Sequence, residues 1–278
     1  MKWLFVLFLA IIIFGGAAWF GYNFVFKQDI QVAKEQRGEV TPEPRIDLTL
    51  PEYEAAAKLR QEGKMPEARA ALSTFVQKYP TSPHADEAKD LLGEINIDIF
   101  LSRTPSPEKE EYIVKPGDVI TKVAHKTKST PELIMRMNNM SGTMLHIGER
   151  LLISHPDFAI VVQRKPKVLV LLNHGGFFKQ YHIQEEKLPA KIPSKAQTKV
   201  VEVMAWRDGK RVGFGTKEFI GSTRWIRLGS QAYTIYAVPD AAHQVVQPPP
   251  PQGIGLAAAD VEELSSLVNK QTSVTITE

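Results

Sequence analysis

The chain has 278 residues, 43% of them hydrophobic, so it is long enough for two or three small folded units. It contains no cysteine, which excludes disulfides, Cys-type zinc sites and a thiol nucleophile, and its seven histidines lack the spacing of metal ligands. A net charge of +3 with both signs interspersed is too mild for a nucleic-acid-binding protein, and no motif of a cofactor site is present.

The N-terminus has the character of a membrane segment. Trp3 to Tyr22 contains no charged residue, and a helix of this length spans roughly 30 Å, the thickness of a bilayer core. Aromatic residues continue beyond the small pair Ala17 and Ala18, which favours an uncleaved anchor over residues 1–27, with a cleaved signal peptide as the alternative. The polar residues 28–50 that follow are predicted to form a linker.

Residues 51–101 change to an α-helical pattern. Gly63 and Pro80 end the first and second predicted helices, and Ser82 or Pro83 opens a third. The apolar positions have helical spacing: Tyr53, Ala56, Leu59, Ala68, Ala71, Leu72, Phe75, Ala85, Ala88, Leu91 and Leu92. The pattern resembles a tetratricopeptide repeat, but only about one and a half repeats fit. The segment is interpreted as a three-helix spacer that packs on something else, with a partner-binding groove as the alternative.

Residues 102–110 are rich in proline and charge and are predicted to form a linker. Residues 111–154 then predict the order strand, helix, helix, strand. Tyr112 and Val114 alternate as in a strand, Thr130 is placed to cap the second helix, and Gly148 turns the chain into the last strand. The whole arrangement fits within one short segment.

This segment resembles the LysM domain through "YIVKPGD", "VA", "ELIMRMN" and "IGERLLI". The resemblance implies binding of N-acetylglucosamine-containing glycans, including peptidoglycan, in a shallow groove between two loops. It assigns seven residues to the two walls: Gly117, Asp118, Val119 and Ile120 on one, and Leu145, His146 and Ile147 on the other. Family members often have Thr or Ser at the position of Val119, so one hydroxyl is missing here. The alternative is that Asp118 only stabilises a turn and Ile120 belongs to the core.

From residue 157 onward the pattern is that of β-strands. Hairpin turns are predicted at "NHGG" (residues 173–176) and "RDGK" (residues 207–210). Asp260 and Glu263 are predicted to form a capping box at the start of one helix. Six or seven short strands with this helix indicate a β-sandwich or β-rich barrel. The chain is therefore predicted to be a multidomain α+β protein.

Residues 157–278 resemble the YkuD-type L,D-transpeptidase domain in the hairpin "VLVLLNHGGFFKQYHI", the stretch "GSTRWIRLGSQAYTIYAVP" and the closing "DVEELSSLV" and "TSVTI". That family attacks a peptide carbonyl with a cysteine thiolate activated by histidine. The resemblance places its two histidines at Tyr236 and Pro251, its cysteine at Gly253 and its arginine at Gly255, so we predict that the domain is not an enzyme. Gly253 and Gly255 either mark a groove for a peptide stem or loosen a surface turn after the prolines.

Together these features predict a non-catalytic peptidoglycan-binding protein of the bacterial cell envelope. We expect a single-pass inner-membrane anchor, with the bulk of the chain in the periplasm or envelope, and no nucleic-acid partner or cofactor. Two alternatives stay open. One is an enzyme that acts on peptidoglycan stem peptides through an unrecognised nucleophile. The other is an envelope assembly factor that binds a protein partner through residues 51–101.

Overall fold

The structure is a computed structural model that describes residues 47–103, 106, 108–189, 195–229, 233–239 and 252–278. Two compact units are present, Met1–Leu48 and Thr49–Glu278, and the second contains nearly all described residues. The predicted membrane segment and Pro251 lie outside the described residues. Within the described ranges, every helix is too short or too polar to cross a bilayer.

Three helices open the second unit: α1 (Leu50–Gln61), α2 (Met65–Lys78) and α3 (Ala85–Leu101). Each of the first two has proline in its first turn, where the missing N–H costs nothing. Small alanines let the helices approach, and the core between them is formed by Ala56, Ala68, Leu72, Phe75, Ala88, Leu92 and Ile95. The three predicted helices are confirmed, although the third begins two residues later than Pro83.

The next segment consists of β1 (Lys109–Ile113), α4 (Ile120–Lys126), α5 (Pro131–Met137) and β2 (Arg150–Ser154), so the predicted order is confirmed. β1 begins one residue before the predicted end of the linker and pairs antiparallel with β2. The Thr130 hydroxyl accepts a hydrogen bond from the Leu133 N–H at 2.9 Å, which is the predicted cap. Val114, Ile120, Val123, Ala124, Ile134, Leu151 and Ile153 form its core.

Ten strands follow in the described part of the chain, so the predicted number of six or seven is too low. They are β3 (Phe158–Gln163), β4 (Val168–Asn173), β5 (Gly176–His182), β6 (Glu185–Lys187), β7 (Lys195–Arg207), β8 (Lys210–Val212), β9 (Thr223–Leu228), β10 (Thr234–Ala237), β11 (Gly253–Leu256) and β12 (Ser273–Thr277). The strands that were not predicted are β9 and the two short strands β6 and β11, which are only three or four residues long. Strands this short carry too little alternation to be read from sequence.

The ten strands form one sheet in the order β5-β4-β3-β12-β7-β9-β10-β11-β6, with β8 paired to β7. The first and last strands of this path, β5 and β6, are separated in the chain by only Ile183 and Gln184. The sheet must therefore curl until its two ends meet, which is a barrel-like arrangement. Both predicted hairpin turns are confirmed, since His174, Gly175, Asp208 and Gly209 all have positive φ.

The α-helix α6 (Ala258–Leu267) packs its apolar residues Val261, Leu264 and Leu267 into the sheet core. The predicted capping box is wrong. The helix begins at Ala258, and no side chain caps it. Glu263 instead accepts a hydrogen bond from the Tyr181 hydroxyl at 2.9 Å and pairs with Lys179 at 2.8 Å, so tertiary partners on β5 take the carboxylate.

Both preceding segments pack on the sheet. Gly93 of α3 lies so close to β5 that an added Cβ would stand 2.8 Å from Lys179 Cγ, and Asn96 donates to the Phe178 carbonyl at 2.7 Å. α3 therefore covers the outer side of an edge strand. From α5, Leu133 and Met137 join the hydrophobic cluster of the sheet. The helical segment thus packs on another part of the protein, as predicted.

Candidate functional site

The two predicted glycan-binding loops meet at Val114. Its N–H donates to the Glu149 carbonyl and its carbonyl accepts from the Gly148 N–H, both at 2.9 Å. The first loop, residues 115–119, directly follows Val114 in the chain, and the second, residues 144–148, ends at the residues that bond to Val114. The two loops therefore lie side by side at one end of the segment. Gly148 has φ +86, a conformation that favours glycine, and this allows the second loop to turn into β2.

Asp118 fixes the first loop. Its carboxylate accepts hydrogen bonds from the Tyr112 hydroxyl at 2.7 Å and the Lys115 N–H at 2.9 Å, and it pairs with Lys126 at 3.1 Å. The Tyr112 hydroxyl, the Lys115 N–H and Lys126 together lower the pKa of Asp118 to about 2. The carboxylate is therefore ionised at neutral pH and holds the turn at Gly117, which has φ +81. The turn-stabilising role considered for Asp118 is what the structure shows.

The wall residues divide into exposed and buried groups. Val119 is 48% exposed and Ile147 is 72% exposed, and Met144 beside the second loop is 75% exposed. Ile120 is buried at 3% and belongs to the core, the alternative considered above. Leu145 is half-buried against the same core. The loops therefore present apolar side chains on both sides.

His146 and the exposed Gly117 contribute main-chain polar groups. The His146 N–H donates to the Glu149 carboxylate at 3.0 Å, and its carbonyl accepts from the Glu149 N–H at 2.9 Å. Glu149 fixes the second loop in the same way that Asp118 fixes the first. The roles of Tyr112, Lys126 and Glu149 in fixing the loops were missed in the sequence, because their partners lie three to eight residues away in loops without periodicity.

Three of the positions to which the transpeptidase resemblance points, Tyr236, Gly253 and Gly255, lie on two adjacent strands. β10 and β11 are parallel, and Tyr236 is the register partner of Gly255. The interpretation of Gly253 and Gly255 as a surface turn is wrong, since all four residues of β11 are buried. A Cβ at Gly253 would stand 2.0 Å from the Thr234 carbonyl oxygen, so close backbone packing requires glycine here.

The space beside Gly255 is occupied. An added Cβ would stand 2.5 Å from Val238 Cγ2, 2.9 Å from Glu185 Cβ and 3.3 Å from the Tyr236 ring. The Tyr236 hydroxyl donates to the Glu185 carboxylate at 2.6 Å. Burial, followed by the bond to Glu185, raises the pKa of Tyr236.

No group of three or more His, Cys, Asp or Glu side chains capable of holding a metal occurs within the described residues.

Residues 112–154 match the family model described as LysM domain. This segment is a LysM domain. The match covers the two loops, both helices and most of the strand pair, as the sequence motifs predicted. A search of curated proteins found no match to the chain.

Among solved structures, similarity is found to L,D-transpeptidases. A mutant of the Enterococcus faecium L,D-transpeptidase is 14% identical, with 43% of this chain and 49% of that chain covered and a TM-score of 0.30. The L,D-transpeptidase from Mycobacterium smegmatis is 8% identical, with 48% of this chain and 65% of that chain covered and a TM-score of 0.30. The L,D-transpeptidase (Yku) from Stackebrandtia nassauensis is 10% identical, with 44% of this chain and 55% of that chain covered and a TM-score of 0.31. The chain spans about half the length of the first of these proteins.

Proposed function

We propose that this protein binds peptidoglycan through the LysM domain and that it does so without catalysis, as a scaffold of the bacterial cell envelope. The observation that carries the proposal is the LysM domain itself, with its two loops fixed side by side and exposed. The uncharged segment from Trp3 to Tyr22 is proposed as the inner-membrane anchor, which would place the remaining chain in the periplasm.

The loop chemistry supports a glycan ligand. Exposed Val119 and Ile147 offer apolar surface for the C–H face of a sugar ring and for the methyl of an acetamido group. The carbonyl oxygens of exposed Gly117 and His146 each accept one hydrogen bond within the loops, and each can accept a second from a sugar hydroxyl or the acetamido N–H. Asp118 and Glu149 hold these groups in place before the ligand arrives, which reduces the entropy lost on binding.

Retention by the insoluble wall tests this function. The purified full-length chain, kept in mild detergent, is incubated with peptidoglycan sacculi, and titration with chitotetraose follows by NMR. We expect retention, and shifts of the resonances of Asp118, Val119 and His146. Failure of both measurements would contradict the proposal.

Matched variants locate the groove. Removing an apolar contact with the sugar in Ile147→Ser is expected to weaken chitotetraose binding by about tenfold. Ile113→Ser is the control, since Ile113 is also exposed, at 50%, but lies on β1 outside both loops. Equal affinities of the two variants would place the glycan elsewhere.

The absence of catalysis rests on the chemistry of the motif positions. The chain has no cysteine, and Tyr236 stands where the resemblance places a histidine. Its raised pKa keeps the phenol protonated at neutral pH, so it serves neither as nucleophile nor as base. Incubation with a tetrapeptide donor, followed by mass spectrometry of the intact protein, is expected to give neither an acyl-enzyme nor a cross-linked product.

The helical segment supports a second candidate function, that of an assembly factor. A groove of about 380 Å³ runs between α1 and α2 and is lined mainly by small or apolar side chains, among them Ala55, Leu59 and Ala70. Ala55 and Ala70 are exposed, so Ala55→Glu and Ala70→Glu fill the groove without disturbing the core. Loss of a co-purifying envelope protein in these variants, with unchanged retention by sacculi, would favour this candidate.

A further inference from the structure

A cavity of about 590 Å³ lies where the LysM domain meets the sheet, and we name it the junction cavity. One wall is formed by α5 and residues 139–143 of the LysM domain, and the other by residues 214–221, which connect β8 to β9. None of its lining residues belongs to β10 or β11, so the cavity is separate from the strands that carry Tyr236, Gly253 and Gly255.

The two walls are held together by packing. Phe214 packs against the hydrophobic cluster of the LysM domain, and so does the groove residue Leu145. A Cβ at Gly215 would stand 3.4 Å from Thr143 Cγ2, so the connection between β8 and β9 lies directly against the LysM domain at this point. This connection is therefore a fixed neighbour of the second glycan loop.

Exposed apolar side chains continue from the second glycan loop to the cavity. Met144 of that loop is 75% exposed, and Ile220 on the opposite wall of the cavity is 69% exposed. Gly142 and Thr143 line the cavity and directly precede Met144. Ser141, which also lines it, is separated from Met144 by at most about 11 Å of extended chain. One elongated ligand can therefore contact both the loop and the cavity.

The charged side chains that line the cavity are largely paired with one another. Arg136 bridges Glu132 at 3.3 Å and Glu262 at 3.2 Å. Arg224 lies 3.5 Å from Glu132, so two arginines balance two glutamates and this network offers no unpaired charge to a ligand. Lys217 also lines the cavity and is exposed, and an ammonium donates hydrogen bonds to hydroxyls as well as to anions.

Neutral polar groups of the LysM wall are available to a ligand. The side chains of Asn139, Ser141 and Thr143 form no hydrogen bond with other described residues. One amide and two hydroxyls can both donate to and accept from sugar hydroxyls and acetamido groups. Neutral hydrogen-bonding groups beside an apolar surface suit a sugar better than a polyanion. That apolar surface is formed by Met135, Met140, Phe214 and Ile220.

We propose that the junction cavity is a second glycan subsite, which binds further sugars of the same strand that the LysM loops hold. The inference rests on the proposed function for the binding of the first sugars. It adds a preference for long glycan strands, because only a strand that extends beyond the loops reaches the cavity. The sheet thereby takes part in glycan recognition through the connection between β8 and β9.

Calorimetric titrations of the full-length chain in mild detergent compare chitotetraose with chitohexaose. The hexaose is expected to bind about tenfold more tightly than the tetraose. It should also shift the NMR resonances of Asn139, Thr143 and Ile220 more than the tetraose does. A longer chain gains some affinity by sliding between registers, and this gain is common to all variants. The ratio of the two affinities is therefore compared between proteins.

Two exposed positions test the cavity without disturbing the core. Ile220→Ser removes an apolar contact, and Asn139→Gly removes the amide at a residue whose φ of +52 suits glycine. Each should lower the affinity ratio by about threefold and leave tetraose affinity unchanged. The matched controls are Ile113→Ser on β1 and Lys167→Gly, an exposed residue with φ +55 in the turn between β3 and β4. Both controls should keep the full ratio.

The possible results separate the inference from the proposed function. An affinity ratio that is the same in the wild type and in both cavity variants would overturn the inference and leave glycan binding by the loops intact. If neither oligosaccharide binds, the inference and the proposed function fail together. Hexaose binding that is retained in Ile147→Ser but lost in Ile220→Ser and Asn139→Gly would support the cavity and contradict the assignment of the glycan to the loops.

Discussion

Placing a thiol at Gly253 should destabilise the fold. Gly253 has φ +156, and a Cβ would stand 2.0 Å from the Thr234 carbonyl oxygen on the neighbouring parallel strand. Main-chain atoms within a paired strand cannot move aside as a flexible side chain can. Overpacking and backbone strain together make Gly253→Cys less stable by about 3 kcal/mol, which for a unit of this size lowers the melting temperature by about 6–12 °C.

Gly213→Cys is the matched control, because Gly213 is exposed and its Cβ would meet nothing closer than Thr216 Cγ2 at 4.0 Å. Differential scanning calorimetry should show a shift of about 1–2 °C or less for this variant. The same pair of proteins is then treated with a tetrapeptide donor and weighed by intact-mass spectrometry. Neither variant should acquire an acyl group, since a thiol alone lacks an adjacent base.

A triple variant that places three residues of the transpeptidase motif sharpens the test. Tyr236→His and Gly255→Arg, added to Gly253→Cys, must displace Val238, Glu185 and the bond between Glu185 and Tyr236. We expect this triple variant to melt lower still and to remain unacylated. Two results would refute the argument that close packing of β11 excludes these side chains. One is a Gly253→Cys protein with the same melting temperature as the Gly213→Cys control, and the other is a triple variant that forms an acyl-enzyme.

Three further predictions follow from the packing and the loops. The pKa of Asp118 is lowered from 3.8 to about 2, so the ionised carboxylate contributes fully to stability above about pH 4, and this contribution is lost as the pH falls to 2. NMR should show the loop of residues 115–119 opening between these two pH values. The Asp118→Asn variant should show no such step. Leu72→Ala creates a cavity between α1 and α2 and should cost about 2–5 kcal/mol in denaturant unfolding, whereas exposed Met144→Ala should cost less than about 0.5 kcal/mol. Asn96→Ala leaves the Phe178 carbonyl without its side-chain donor and should cost about 1–3 kcal/mol, with faster amide exchange in β5.

The sequence correctly predicted those elements that are determined by residues close together in the chain. The order of the LysM segment, the cap at Thr130 and the positive-φ turns at His174 and Asp208 all arise from residues close together in the chain. Each is determined by short-range hydrogen bonds or by backbone preference. The exposure of Val119 could also be expected, since it follows a Gly-Asp turn outside any apolar period.

Features that depend on distant partners were not predictable in the same way. Glu263 has the correct spacing for a capping box with Asp260, yet β5 supplies a hydroxyl and an ammonium that bind it instead. Arg224 occupies an ordinary strand position, and nothing in its neighbours along the chain indicates burial beside Glu132. Such residues need the assembled fold, because their partners lie tens of residues away.

The glycines of β11 show why larger side chains on this strand would destabilise the fold. Val238 and Glu185 fill the space beside Gly255, and the ring of its register partner Tyr236 lies next to them, so a side chain at Gly255 would need all three to move. Once Glu185 holds the Tyr236 hydroxyl, an arginine at Gly255 has no room, and a side chain at Gly253 meets the main chain of β10. The replacements are therefore mutually dependent packing features, and no single substitution reverses them. These contacts together fix the packing of β11 between β10 and β6.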